Sequence, residues 1–295
     1  MPEEPENRNY WLRLNCFSSV GNLHFQTALH EIYMKRLRFI LLILLTVSAP
    51  LSALGANPSP ENYGRVVISN FSPKAGMAKV VFDHWLHRSQ FTCRVCHVDL
   101  GFLMKKGETR MKAADNMKGY YCGACHNGEK HGFDPPVFKA CSIPPAPDEM
   151  PRCDRCHSYG KDIKRKYEFA KFTEKMPKAS LGNGIDWEKA ETSGLINLKD
   201  NVPGTPLIKR LMPVQKDFSL ESKGSWMGDI LFSHKKHAKW NGCELCHPDI
   251  FLGVSRGATK YNMFQIYEGE YCGVCHLNVA FPLRDCMRCH VKPVK

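Results

Sequence analysis

Fourteen cysteines punctuate the 295-residue chain, and twelve of them form six Cys-x-x-Cys pairs at 93/96, 122/125, 153/156, 243/246, 272/275 and 286/289. Each second cysteine is followed at once by a histidine: His97, His126, His157, His247, His276 and His290. A Cys-x-x-Cys pair alone suits a zinc ribbon, a redox dithiol or a disulfide framework. The adjoining histidine narrows the chemistry. Two thiols at this spacing can add to the vinyl groups of a porphyrin while the next imidazole binds its iron from one face. Structural zinc needs four ligands and has no use for a histidine directly after every pair. Disulfides would leave the histidine offset unexplained. The pattern predicts six covalent c-type haems, held by Cys93, Cys96, Cys122, Cys125, Cys153, Cys156, Cys243, Cys246, Cys272, Cys275, Cys286 and Cys289. The six motif histidines are the expected proximal iron ligands.

Such groups need a compartment and a scaffold. Residues 34–56, "MKRLRFILLILLTVSAPLSALGA", have a charged start (Lys35, Arg36, Arg38), a short apolar run and small residues after it. That is the form of a secretory signal, with cleavage expected after Gly55 or Ala56. Residues 1–33 then read as an extension from an upstream start codon; a cytoplasmic tail on an uncleaved anchor is the competing reading. Export suits c-type haem, which bacteria attach outside the cytoplasm. A processed chain of about 240 residues leaves roughly forty per haem, so the interior should be porphyrin more than aliphatic core.

The net charge is +12. Residues 1–55 carry 5 Lys/Arg and 4 Asp/Glu, and without them the balance is 36 basic against 25 acidic, or +11. Six haems would bring twelve propionates to pair with that excess. The basic charge is therefore no argument for nucleic acid, and the chain has no nucleic-acid motif.

An internal repeat organises the motifs. At an offset of 150, "VVFDHWLHRSQFTCRVCHVDL" (80–100) lies on "ILFSHKKHAKWNGCELCHPDI" (230–250). Phe82, His84 and His87 match Phe232, His234 and His237, and the register runs through Thr109/Thr259 to "YCGACH" on "YCGVCH". It breaks at a 17-residue, proline-rich insertion before the third motif of the first copy. This divides the chain into two triheme modules, 66–160 and 218–293, joined by a basic, mostly polar linker, 161–217. Within the linker "GIDWEKAETSGLI" predicts a short helix with Asp186 as N-cap and Gly194 at its end. Each module should open with a short strand or hairpin at "AKVVF" or "GDILF" and otherwise hold brief helices around its motifs.

The F-x-H-x-x-H run with Cys-x-x-Cys-His nine residues after its first histidine, then two more such motifs, resembles the triheme class III cytochromes of the cytochrome c7 type. The second copy's "CHPDIF", "YCGVCH" and "CMRCH" are similar to c7-like domains of multihaem cytochromes from metal-reducing bacteria. The resemblance covers both modules and leaves the linker unexplained. It implies a haem-wrapped fold with little regular secondary structure, and electron transfer as the activity.

Six irons invite six distal ligands, yet after residue 56 only His84, His87, His131, His234 and His237 lie outside the motifs. At least one iron must take another ligand or stay open. The resemblance implies that His84 closes the haem of 93/96 and His234 that of 243/246. It implies that His87 reaches the haem of 122/125 and His237 that of 272/275. The third haem departs from the small triheme pattern, since "TKYNMFQIYEGEYC" contains no histidine. Met263 is the candidate there, a thioether being a good iron ligand that raises the potential. The first copy offers Met111, Met117 or His131, the last matched only by Phe281. Cys141, alone in the insertion, is expected to be buried, to pair between molecules or to lie beside a haem.

These readings make the chain an exported hexahaem cytochrome relaying electrons between respiratory partners toward periplasmic or extracellular acceptors, and not an enzyme. No acid/base constellation stands out as catalytic. The partners expected are other redox proteins: cytochromes, reductases or an outer-membrane conduit. A periplasmic or cell-surface location follows; peripheral membrane association and oligomeric state stay open. Two other readings remain, a multihaem reductase with an open-coordinate haem and a conduit subunit of a larger assembly.

Overall fold

The computed structural model describes residues 33–39, 59–129, 133, 136–142, 147–163, 168–205, 216–224, 226–253 and 255–293. Two compact units divide the chain, Met1–Asn57 and Pro58–Lys295. In the first, residues 33–39 are helical, while most of the expected signal segment and its 1–33 extension lie outside the described residues. Among the described residues no helix is long and apolar enough to cross a membrane.

The second unit carries two small hairpins. Strand β1 (Arg65–Ile68) pairs antiparallel with β2 (Val80–Asp83), Val66 opposite Phe82 and Ile68 opposite Val80. Strand β3 (Phe218–Leu220) pairs likewise with β4 (Ile230–Phe232), Phe218 opposite Phe232. Valine, isoleucine and phenylalanine suit a pleated, half-buried surface, but two strands alone are marginal in water. The third motif of each module returns to brace them. Val81 N–H donates to the Cys156 carbonyl at 2.8 Å and Tyr159 N–H to Lys79 at 3.2 Å. Leu231 N–H donates to Cys289 at 3.3 Å and Lys292 N–H to Asp229 at 3.2 Å, the same arrangement 150 residues on.

The helices are α1 (His84–Arg88), α2 (Ala113–Met117), α3 (Met150–Cys153), α4 (Phe169–Phe172), α5 (Trp187–Thr192), α6 (His234–Asn241), α7 (Met263–Tyr267) and α8 (Gly273–His276). Single turns of this kind have no stability of their own and exist because of what they pack against.

The linker differs from the polar spacer its composition suggests. Its α5 begins where expected, with Asp186 Oδ1 accepting from Lys189 N–H at 3.0 Å, and Gly194 follows at φ 73°. Its apolar face forms the core: Trp85, Met176, Ile185, Trp187, Ala190 and Ile196 are buried together. Five of these six come from the linker, and Trp85 comes from α1 of the first module. Fully burying such side chains contributes about 1.5–3 kcal/mol each. The polar face of α5 meets the second module. Glu188 pairs with Lys236, Glu191 accepts from Lys239 at 2.5 Å and from Trp240 Nε1 at 2.7 Å, and Asp186 meets Arg288 at 2.8 Å. Residues called a linker thus clamp both modules, because a 3.6-residue period presents tryptophan and glutamate to opposite sides.

Candidate haem sites

In each motif the backbone makes one turn. The histidine N–H reaches the carbonyl of the first cysteine in the motifs of His126 (2.8 Å), His157 (2.8 Å), His247 (2.9 Å), His276 (3.0 Å) and His290 (2.9 Å). The first motif lies on a π-helical turn, Val95–Asp99. In the second motif of each module the residue after the first cysteine must be glycine. A Cβ on Gly123 would lie 1.8 Å from the Asn116 carbonyl oxygen, and one on Gly273 1.9 Å from that of Ile266.

The four F-x-H-x-x-H histidines face four motif histidines. Ring centres are 6.4 Å apart for His84 and His97, 6.3 Å for His87 and His126, 6.5 Å for His234 and His247, and 6.2 Å for His237 and His276. Two imidazoles bound to one metal through nitrogens at about 2.0 Å would have centres about 6.3 Å apart. The residues therefore fit an iron between each pair. Phe82 packs against both His84 (4.9 Å) and His87 (4.4 Å), and Phe232 against His234 (6.0 Å) and His237 (4.5 Å). The phenylalanine of the motif thereby props two imidazoles that point at different sites.

In six of these eight rings the second nitrogen is engaged by the backbone. Nδ1 lies 2.6 Å from the Gly64 carbonyl in His84, 2.8 Å from Phe102 in His97, 2.9 Å from Ser233 in His237, 2.6 Å from Phe251 in His247 and 2.9 Å from Phe281 in His276. His87 Nδ1 faces the Asp83 carbonyl at 3.3 Å. A carbonyl can only accept, so Nδ1 carries the proton and Nε2 keeps its lone pair for a metal. In His126, by contrast, Nδ1 is buried without a hydrogen bond of good geometry, although the Phe138 backbone is near enough to influence it. Burial lowers the pKa of His84, His126 and His276 to about 4, and also lowers those of His87, His97, His234 and His237. Desolvation disfavours the imidazolium, so these rings are held in the neutral, metal-binding form. Burial likewise pushes the Cys96, Cys122 and Cys275 thiols up to about 12. A thioether has no proton to lose and suits such surroundings.

The same repeat appears in comparisons with known proteins. The family model for cytochrome c7 and related cytochrome c matches residues 80–158 and again 230–291. A solved c7-type three-heme cytochrome domain is 32% identical, covering 27% of this chain and 95% of that one, at a TM-score of 0.24. This chain belongs to the cytochrome c7 family. The C-terminal hexaheme fragment of GSU1996 is similar at 24% identity, over 77% of this chain and 96% of that one, at a TM-score of 0.24. The dodecaheme cytochrome c GSU1996 is similar at 25% identity, over 77% of this chain and 74% of that one, also at 0.24. No curated protein matches. A c7-type protein with two triheme regions carries six c-type haems, and its activity is electron transfer.

Within this c7-type cytochrome the third sites are built differently from the other four. His157 Nδ1 is held at 2.7 Å by the Ala78 carbonyl and His290 Nδ1 at 2.7 Å by Gly228, repeat-equivalent positions. Among the described residues no second imidazole faces either ring. Met111 Sδ lies 3.9 Å from Cys122 Sγ, while Met117 and Met263 are exposed and His131 falls outside the described residues. Cys141 is partly buried, with Asn116 Nδ2 3.8 Å from its sulfur, and it lies close enough to Cys153 and Cys122 to feel their charge.

The same electrostatic proximity relates the sites. Cys122 senses Cys156 and Cys96; Cys272 senses Cys289 and Cys246. Across the modules, Cys93 is sensed by both Cys246 and Cys275. Cys93/Cys96 thus lies near the motifs of 122/125, 243/246 and 272/275. Sequence reasoning had no means to find these neighbours or the carbonyls that orient the rings, because backbone acceptors carry no residue signature. One-residue slippage was also hidden: Phe102 and Leu103 play the parts of Phe251 and Leu252, whereas Thr109 and Thr259 hold the 150 offset.

Proposed function

We propose that this cytochrome is an exported hexahaem electron carrier, periplasmic or at the cell surface, passing electrons among neighbouring sites between other redox proteins. In this reading His97, His126, His157, His247, His276 and His290 are proximal ligands. His84, His87, His234 and His237 are distal ligands to the haems of Cys93/Cys96, Cys122/Cys125, Cys243/Cys246 and Cys272/Cys275. The observation that carries it is the set of four facing imidazole pairs, 6.2–6.5 Å between centres, two in each module. Haem iron supplies a one-electron couple whose potential is set by axial ligands, burial and nearby charge. The chain's part is to hold the imidazoles neutral, fix their tautomers and keep neighbouring sites close.

A second reading has its own observation. His157 and His290 face no second imidazole among the described residues, so the third iron of each module is closed by a methionine, or in the first module by His131, or is open. Met263 in the second module, and Met111, Met117 or His131 in the first, are the proposed closing ligands. An open iron would give a reductase. Carbon monoxide binding to the reduced holoprotein, with six haems verified by intact mass, separates the two. The carrier reading expects no gas bound; one or two molecules bound per chain would establish open third sites and favour the reductase. Haem stoichiometry below six would overturn both.

A further inference from the structure

The carbonyl that orients the first motif's histidine is itself held, and in the same way in both copies. His97 Nδ1–H donates to the Phe102 carbonyl at 2.8 Å, and the N–H of that same peptide, on Leu103, donates to Thr109 Oγ1 at 2.8 Å. In the second module His247 donates to Phe251 at 2.6 Å and Leu252 N–H donates to Thr259 Oγ1 at 2.8 Å. The phenylalanine is fixed too, its own N–H reaching the Cys96 carbonyl at 3.0 Å in one copy and Cys246 at 2.8 Å in the other. One amide thus joins a motif imidazole to a threonine hydroxyl.

The copies reach this arrangement by different routes. Phe102 follows His97 by five residues and Phe251 follows His247 by four, whereas Thr109 follows Leu103 by six and Thr259 follows Leu252 by seven. A loop that served only as a connection would lose a contact when its register slipped. Here the slip is absorbed and both bonds survive. A left-handed glycine, Gly107 (φ 88°) or Gly257 (φ 80°), turns the chain two residues before each threonine. The second motifs have no such relay. His276 uses the Phe281 carbonyl, whose peptide continues into Pro282 and has no N–H, and His126 has no bond of good geometry.

We propose that Thr109 and Thr259 are positioning residues that tune the first haem of each module, at Cys93/Cys96 and Cys243/Cys246, through the shared peptide and the proximal histidine. This rests on haem occupying both motifs, which intact mass checks separately. Donating its N–H to the hydroxyl polarises the amide and makes its carbonyl a stronger acceptor. A stronger bond at Nδ1 makes the imidazole a more basic ligand, which favours the oxidised iron and lowers the potential of that haem.

The test follows haem methyl resonances of the holoprotein during a redox titration. Thr259→Val removes the acceptor and is expected to raise the reduction equilibrium of the Cys243/Cys246 haem alone by about two- to threefold. Thr109→Val should do the same for the haem of Cys93/Cys96. Thr109→Ser and Thr259→Ser keep the hydroxyl and should stay near the unaltered values. In reduced protein labelled with ¹⁵N-histidine, the His247 Nδ1–H resonance should move upfield in Thr259→Val and hold its place in Thr259→Ser. No shift with valine, an equal shift with serine, or a shift spread over several haems overturns the proposal. Should a valine variant lose haem, the unaltered holoprotein decides. Its Leu103 and Leu252 amides are expected to exchange with solvent at least about tenfold more slowly than free amides; unprotected exchange overturns the proposal.

Discussion

Helices α1 and α6 are the same device turned to different neighbours. His84-Trp85-Leu86-His87-Arg88 and His234-Lys235-Lys236-His237-Ala238 share their histidine spacing, and their facing rings stand at nearly equal separations. The residues between the histidines differ completely. Trp85 is buried against Trp187 and Ala190, whereas Lys236 reaches from solvent to Glu188. The histidines face the motif rings and the intervening pair serves docking, so the two sets of contacts vary independently. The rings also show how far the copies diverge. His84 and His97 lie within 8° of parallel, while His234 and His247 are inclined at 75°. The other two pairs agree, at 50° and 52°.

Substitutions on α5 and around it put this contrast under strain. The largest effect is expected for Trp187→Ala, which empties the centre of the apolar cluster and should cost about 3–5 kcal/mol. Because the cluster joins the linker to the first module, limited proteolysis should open residues 161–217 while six haems remain attached. Loss of haem without linker cleavage would instead place the core's importance inside the modules. Next comes a comparison that should find the copies alike. Gly123→Ala and Gly273→Ala each drive a methyl into a backbone carbonyl and should destabilise by about 1–3 kcal/mol each, measured by denaturant unfolding. Unequal values would mean that the second motifs are not structurally equivalent. The smallest effect belongs to the polar side. Lys236→Gln removes an exposed ion pair and should cost below about 1 kcal/mol, less still in high salt. A larger, salt-independent loss would show that the second module is docked by more than charge.

Much of the site was legible because its chemistry is local. The spacing of two cysteines and a histidine is set by one backbone turn, so Cys93, Cys96 and His97 announce themselves without tertiary information. Phe82, His84 and His87 were readable through their repetition at 232, 234 and 237. The α5 helix was legible from Asp186 and Gly194, since caps are local too. Its partners were not: nothing in "DWEKAET" says that tryptophan meets Trp85 while glutamates meet Lys236 and Lys239. Arg88 also passed unremarked, because its contacts with Trp187 and the Val279 carbonyl join residues far apart in the chain.

The sequence by itself determined the number of haems, the six Cys-x-x-Cys-His motifs, the repeat at an offset of 150 and the five histidines outside the motifs after residue 56. These follow from residue type and short spacing. Only the tertiary structure decided which backbone carbonyls orient the imidazoles, that residues 176–196 clamp both modules, and that the motif of Cys93/Cys96 touches the second module through Arg94 and Glu244. Those depend on groups distant in the chain, such as Tyr63 with Ala280 and Arg88 with Val279, brought together by packing that no local pattern encodes.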